Sequence, residues 1–228
     1  MPTDITEHPS FGDLDAVDWD NTASILTAAE HLFDAVTGHP GLLADLLDHL
    51  TGDPALRAMC EGYDFMDKLV LYDSPDHRIR LRLHRYRPGY FDRPHNHRWP
   101  FASRILRGTY LHRLYGSDEQ FTEDTDPDQL TPLLERVEHP GSTYALHHTS
   151  VHTVQAEADS ISLLLRGPAA KDRFLILDKK AGGSFWVYGA AQESPETRTS
   201  KIMKPVQLDQ TITQVRTLLT DAQTEQRR

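Results

Sequence analysis

Residues 88–97 read Pro-Gly-Tyr-Phe-Asp-Arg-Pro-His-Asn-His, and they are the stretch of the 228-residue chain that bears most directly on its fold and chemistry. One residue separates His95 from His97. Side chains two positions apart on a β-strand point to the same side, so both imidazoles face one space. Neutral imidazoles bind iron, nickel, copper and zinc. We therefore predict that His95 and His97 are ligands of one metal ion.

A third ligand has to come from another segment of the chain. His152 follows the Pro140-Gly141 turn and has β-branched residues on both sides, which is typical of a strand. The adjacent histidines His147 and His148 are more typical of a loop. We predict His152 as the third ligand and leave His147 or His148 open in its place.

Short strand-like segments surround these histidines. In residues 79–84, three aliphatic residues alternate with arginine and histidine, the period-two pattern of a strand with one buried face. Further strands are predicted at 68–72, 103–107, 109–115, 133–138, 142–146, 151–156, 160–166, 173–178 and 184–188. Turn residues rich in proline and glycine separate them. Many short strands at this spacing indicate an antiparallel sandwich or barrel.

Helical periodicity flanks the strand-rich part of the chain. Apolar residues recur every three or four positions between residues 22 and 59, and again over 208–219. We divide the chain into a flexible N-terminal tail (1–20), a helical segment packed on the barrel (21–62), the barrel with the metal site (63–190), and a polar C-terminal extension with one helix (191–228).

Composition and charge narrow the function classes. The formal net charge of −10 argues against a nucleic-acid partner, which requires a basic surface. No apolar run approaches the roughly 20 residues that span a bilayer, and no secretory signal begins the sequence. The single cysteine, Cys60, excludes an internal disulfide. We expect a cytoplasmic protein with no membrane partner, and we leave a homodimer open.

The spacing of Gly89, His95, His97 and Gly108 resembles the first motif of the cupin family. The Pro-Gly turn before His152 resembles the second motif. The resemblance covers residues 68–178. It implies a mainly β fold, a cupin (double-stranded β-helix or jelly-roll) barrel, here with an N-terminal helical segment and a short C-terminal helix.

One feature of the first cupin motif is missing, because Phe101 and Ala102 occupy the positions at which a glutamate ligand usually stands. Cupins with three histidines and no glutamate resemble the thiol dioxygenases of the cysteine dioxygenase type. The chain departs from that group as well. Leu164 and Arg166 stand where its Ser-x-His-x-Tyr set, matched at Ser162, has histidine and tyrosine. We therefore expect free L-cysteine to be a poor substrate.

The leading functional hypothesis is a mononuclear non-haem iron(II) oxygenase or dioxygenase that uses O2 and acts on a small anionic or metal-chelating molecule. Three neutral imidazoles leave the metal its full +2 charge, so an anionic donor from the substrate would favour electron transfer to oxygen. Ni, Mn, Cu and Zn are alternative metals. The alternative functions are a redox-neutral metal-dependent isomerase, lyase or hydrolase, and a non-catalytic cupin that binds a small molecule.

Two further residues are candidates for catalysis. Tyr110 is close in sequence to the metal motif, and its hydroxyl can act as an acid or hydrogen-bond donor. Arg166 can bind an anionic group, as can Arg104 or Arg82, because arginine pairs with carboxylates. Trp99, Phe101 and Tyr110 could line the mouth of an apolar pocket, and the alternative is that these aromatic residues belong to the core. His84 and His112 are interpreted as sheet-face residues.

The position of Arg166 depends on which face of its strand is turned inward. Arg166 shares a face with Ser162 and Leu164, whereas the opposite face of residues 161–165 is wholly apolar. We predict that the apolar face packs outward against the N-terminal helices and that Arg166 faces the metal cavity. The competing arrangement reverses the two faces and puts Arg166 in solvent.

Overall fold

The computed structural model describes residues 11, 13–39, 41–88, 92–179, 183–189 and 192–226. The described helices are α1 (Thr22–Gly38), α2 (Leu42–Gly52), α3 (Pro54–Arg57), α4 (Pro195–Lys201) and α5 (Pro205–Gln226). The described strands are β1 (Glu61–Gly62), β2 (Met66–Ser74), β3 (Ile79–Tyr86), β4 (Phe101–Arg107), β5 (Tyr110–Ser117), β6 (Leu134–Glu138), β7 (Thr143–Leu146), β8 (Ser150–Ala156), β9 (Ile161–Arg166), β10 (Arg173–Ile176) and β11 (Phe185–Tyr188). Every strand segment predicted from the sequence is present, with shifts of up to two residues at its ends.

The strands form three antiparallel sheets. The largest has six strands in the order β1-β2-β3-β9-β4-β7, a second has the order β6-β5-β8, and β10 pairs with β11. Strands β1, β2 and β3 are consecutive in sequence, whereas β9 pairs with β3 and β4, which are distant from it. This mainly β architecture with flanking helices is the cupin jelly-roll fold that the sequence predicts.

The two faces of the large sheet have different surroundings. Leu81 and Leu83 of β3 pair with Leu165 and Leu163 of β9, and all four side chains are buried in the core between the sheet and helices α1 and α2. Leu164, between them, turns to the barrel interior. The prediction that the apolar face of β9 packs outward against the helices is therefore confirmed.

One position of the first cupin motif requires glycine because of its backbone conformation and its close neighbours. Gly108 has a φ of 76°, and a Cβ added there would lie 2.2 Å from Ser160 Oγ. Only glycine accepts this backbone and this close approach without strain. The other glycine of that motif, Gly89, lies outside the described residues.

Both ends of the described chain pack on the core. Phe11 and Leu14 are buried, so the described end of the predicted tail is docked, whereas residues 1–10 and 12 lie outside the described residues. Helix α5 is longer than the predicted 208–219, and its buried face contributes to the main core. Among the described helices, none combines the length and apolar composition needed to cross a membrane.

Candidate metal centre

The loop after residue 91 and strand β8 hold the three predicted histidines together. The backbone N–H of His95 donates to the carbonyl of His152 at 3.0 Å, and the N–H of His152 donates back at 2.9 Å. Between the two loop histidines, Asn96 is fully buried and points away from them. Its amide donates to Asp118 Oδ2 at 2.5 Å and accepts the N–H of Leu175 at 2.8 Å. These contacts hold the loop so that His95 and His97 face inward.

One ring nitrogen from each of His95, His97 and His152 lies within 4.8 Å of the other two. The Nε2 atoms of His97 and His152 are 2.9 Å apart. Two nitrogens bound at about 2.1 Å to one metal at a right angle are about 3.0 Å apart. The three side chains can therefore hold a metal ion, and the structure brings together the three residues that the sequence nominated.

The second nitrogen of His95 sets its tautomer. Nδ1 lies 2.8 Å from the carbonyl oxygen of Arg93 and 3.3 Å from Asp92 Oδ1. A carbonyl oxygen only accepts hydrogen bonds, so Nδ1 carries the proton. Nε2 is then an unprotonated donor of the kind that binds metals.

His152 is oriented by a buried chain of three residues. Its Nδ1 lies 3.1 Å from His112 Nε2, and His112 Nδ1 lies 3.2 Å from Glu138 Oε1. The Glu138 carboxylate, which also accepts from Arg136, makes His112 Nδ1 the donor. His112 Nε2 then accepts from His152 Nδ1, and His152 Nε2 is free to bind a metal. His112 and Glu138 are each only 4% exposed.

His112 lies on a sheet face, on β5, as predicted, but its contact with His152 was not predicted from the sequence. Strand parity identifies His112 only once the pairing of β5 with β8 is known, since His112 lies two residues before Leu114, which pairs with His152. That pairing is between distant segments and could not be read from the sequence. Glu138, on β6, gave no signal of its own.

The electrostatics of the site favour neutral imidazoles. Burial, followed by the proximity of the other histidines, holds the pKa values of His97 and His152 well below their usual range. Metal ligands must be unprotonated. Both side chains are thus in the required state at neutral pH.

The three histidines line a cavity of about 220 Å³ between the two larger sheets. Its wall on the large sheet carries Lys68, Arg82 and His84, so His84 is also more than the sheet-face residue predicted. Burial lowers the pKa of Lys68 to about 8 and holds that of His84 well below its usual value. The rest of the lining is largely aromatic and includes Phe65, Tyr86, Trp99, Phe101, Tyr144 and Phe174.

The two predicted catalytic residues do not line this cavity. Tyr110 is fully buried in the inner apolar core, 5.0 Å from Tyr86 between ring centroids, and burial raises its pKa. Arg166 is on the inward face of β9 but at its end, where its Nη1 donates to the carbonyls of Arg78 and Gly167, at 3.2 Å each. The prediction that it faces the cavity is wrong for its guanidinium.

The alternative candidates for anion binding and for the third metal ligand lie in different parts of the molecule. Arg104 pairs with Asp34 on the helix side of the sheet at 2.5 Å, whereas Arg82 lines the cavity. His147 and His148 form a separate surface group with Asp20, and neither side chain joins the three converging histidines. The carbonyl of His148 accepts the N–H of His97 at 3.3 Å.

No family model and no curated protein matches the chain. Among solved structures, it is similar to KdgF from Halomonas sp., at 18% identity over 48% of this chain and 86% of that one, with a TM-score of 0.37. An RmlC-like cupin protein from Ralstonia eutropha JMP134 is 15% identical over 55% of this chain and 68% of that one, with a TM-score of 0.36.

The ribosomal oxygenase YcfD from Escherichia coli is 17% identical over 42% of this chain and 26% of that one, with a TM-score of 0.35. Likeness at this level carries no argument about activity. None of the three is described as a thiol dioxygenase, so that resemblance stays a prediction from the sequence. Function has to be argued from the site.

Proposed function

Because the chain is a cupin-type barrel in which three imidazoles point at one place, we propose that it is a mononuclear metal-dependent enzyme, specifically an iron(II) oxygenase that acts on a small anionic or metal-chelating molecule. The observation that supports this is the convergence of one nitrogen each from His95, His97 and His152 at a cavity. Bound iron(II) would supply the redox chemistry needed to use O2.

The protein's own residues would hold and orient the metal. His95, His97 and His152 are the proposed ligands, and Glu138 acting through His112 keeps the proton on His152 Nδ1. Neutral imidazole ligands would leave a bound metal its full charge. A substrate that binds directly through an anionic atom is therefore favoured.

Aromatic side chains would restrict water at the site. The ring centroids of Phe101 and Trp99 lie 4.7 Å and 4.9 Å from that of His97, and that of Phe174 lies 6.4 Å away. Excluding water strengthens every electrostatic interaction between the metal, its ligands and a bound anion. It also limits side reactions of reactive species with solvent.

Metal analysis of anaerobically purified protein tests the proposal. We expect one iron ion per chain in the wild type and less than a tenth of that in His97→Ala and His152→Ala. His77→Ala is the matched control, because His77 is half exposed and pairs with Asp15 at the surface. Wild-type protein without stoichiometric metal would contradict the proposal.

Oxygen uptake then separates the oxygenase from the redox-neutral alternative. The iron-loaded protein is screened with thiols and phenolic acids in an oxygen electrode. We expect substrate-dependent uptake that His97→Ala lacks. Conversion of a substrate by the metal-loaded protein without oxygen uptake would instead favour an isomerase, lyase or hydrolase.

A further inference from the structure

The cavity wall on strands β2 and β3 carries positive charge without a full set of partners. We propose that this wall binds the carboxylate of a planar aromatic acid whose other end reaches the three histidines. The inference rests on the proposed function, because it assigns the substrate class of the same site.

Two buried nitrogen atoms on β3 carry the proposal. Within the described part of the chain, Arg82 Nε and His84 Nε2 are buried and have no hydrogen-bond partner. Both residues line the cavity. A buried polar nitrogen without a partner costs free energy, and a cationic guanidinium costs more. A ligand that supplies acceptor oxygens would remove that cost.

The charges on this wall do not balance. Lys68 lies opposite His84 in the β2–β3 register, and its Nζ is 3.9 Å from Glu61 Oε2. Glu61 also accepts a hydrogen bond from the Tyr63 hydroxyl at 3.2 Å. Among the described residues, no carboxylate forms an ion pair with Arg82. One carboxylate therefore faces two cations, and a second carboxylate would complete the set.

The size and lining of the cavity indicate the rest of the ligand. A dry cavity of about 150 Å³ accommodates benzene, so about 220 Å³ accommodates a ring with a few substituents. The rings of Tyr86, Trp99, Phe101 and Phe174 line the space and offer faces and edges for an aromatic body. Arginine binds a planar carboxylate through two parallel hydrogen bonds.

The two ends of such a ligand reach opposite walls. Arg82 belongs to the large sheet, whereas His152 belongs to β8 of the three-stranded sheet, and both line the same cavity. A molecule that fills this space contacts both. The acid would thus be fixed by its carboxylate at one wall and present its metal-binding atoms at the other.

Calorimetric titration under anaerobic conditions tests the assignment, with cobalt(II)-loaded protein and three probes. 3,4-Dihydroxybenzoate carries both ends, catechol only the metal-binding end, and benzoate only the carboxylate. We expect the wild type to bind dihydroxybenzoate about thirtyfold or more tightly than catechol, the difference expected from a buried, hydrogen-bonded charge pair. Arg82→Gln should lose that difference and bind catechol as before.

Arg113→Gln is the matched control, since Arg113 lies on β5 outside the cavity lining and pairs with the exposed Glu135 of β6. Lys68→Met is a second variant that removes positive charge from the same wall. It replaces Arg82→Gln in the test if circular dichroism shows that Arg82→Gln is not folded. Equal wild-type affinity for dihydroxybenzoate and catechol would overturn the assignment. So would an equal loss of both probes in the variants. Tighter binding of phenyl phosphate than of benzoate would replace the carboxylate by a phosphate and also overturn it.

Failure of the proposed function would look different. If the protein holds no metal, catechol should not bind, but benzoate should still bind the wild type and not Arg82→Gln. If metal and catechol bind and benzoate does not, the metal site stands and the carboxylate subsite is wrong.

Discussion

In His95 and His152, the hydrogen-bond partner of Nδ1 determines whether Nε2 is free to bind a metal. A backbone carbonyl sets the tautomer of His95. The tautomer of His152 is set by His112, which is in turn hydrogen-bonded to the buried carboxylate of Glu138. The carboxylate also makes His152 a stronger ligand, because it stabilises the positive charge that a bound metal induces on the ring. Glu138 is thus expected to act on the metal without touching it.

Glu138→Gln tests this role. The glutamine amide can donate to His112 Nδ1 and so reverse the tautomers of His112 and His152, placing a proton on His152 Nε2. We expect metal affinity to fall about 10- to 100-fold. Competition with a chromophoric chelator measures the affinity, and the cobalt(II) spectrum should change in the same variant.

Glu135→Gln is the control for that experiment, because Glu135 lies on the same strand and pairs with Arg113 at the surface. It should bind metal like the wild type. A purely structural role for Glu138 predicts a loss of thermal stability with unchanged metal affinity and an unchanged cobalt spectrum, and that result would refute the positioning role.

Leu164 is a second single residue that affects the choice of substrate. It lines the cavity where the thiol dioxygenases resembled by the sequence have a histidine, and Arg166, at their tyrosine position, turns its guanidinium away. We expect oxygen uptake with free L-cysteine to stay near the rate without substrate. Formation of cysteine sulfinic acid at an ordinary enzymatic rate, about 10 per second, would show this expectation to be wrong.

Strand β3 was predictable from the sequence because one of its faces is largely buried and the other less so, which makes apolar and polar side chains alternate along it. The alternation in residues 79–84 predicted β3, and the pairing of His95 with His97 needed only local geometry. Contacts between distant strands were not predictable. The approach of His112 to His152 depends on how β5 pairs with β8, and the position of the Arg166 guanidinium depends on acceptors at a strand end.

The packing of helix α5 also depends on contacts between distant segments that the sequence alone does not predict. It belongs to the segment predicted as a polar extension with one helix, yet Leu208, Ile212 and Val215 recur at spacings of four and three and are buried in the main core. This apolar stripe is narrow. The helix packs against α2 and strand β4, and neither contact can be seen in the local sequence.

Two valines of α5 provide a matched test of that packing. Val215 is fully buried, whereas Val206 is 69% exposed. We expect Val215→Ala to lower the free energy of unfolding by about 2 kcal/mol, from lost apolar burial and the cavity left behind. Val206→Ala should change it by less than about 0.5 kcal/mol. Urea denaturation measures both, and equal effects would mean that α5 does not pack as described.

Across the whole molecule, the main core and the metal centre are separate. The larger apolar cluster lies between the large sheet and the helices, whereas the three site histidines line the cavity between the two larger sheets. A smaller cluster, with Phe101 and Leu164 among its members, lies inside the barrel near the cavity. The stability of the fold is therefore expected to come mainly from apolar burial rather than from the metal.

Metal removal tests this separation. We expect the chelator-treated protein to keep its far-UV circular dichroism and to unfold cooperatively, because its main core is intact without a metal. Adding metal at about 1,000 times its Kd should stabilise the wild type by about 4 kcal/mol, since only the native state binds it tightly. His97→Ala should fold like the metal-free protein and show no such gain. A metal-free protein that lost its cooperative transition would instead mean that the metal holds the barrel together.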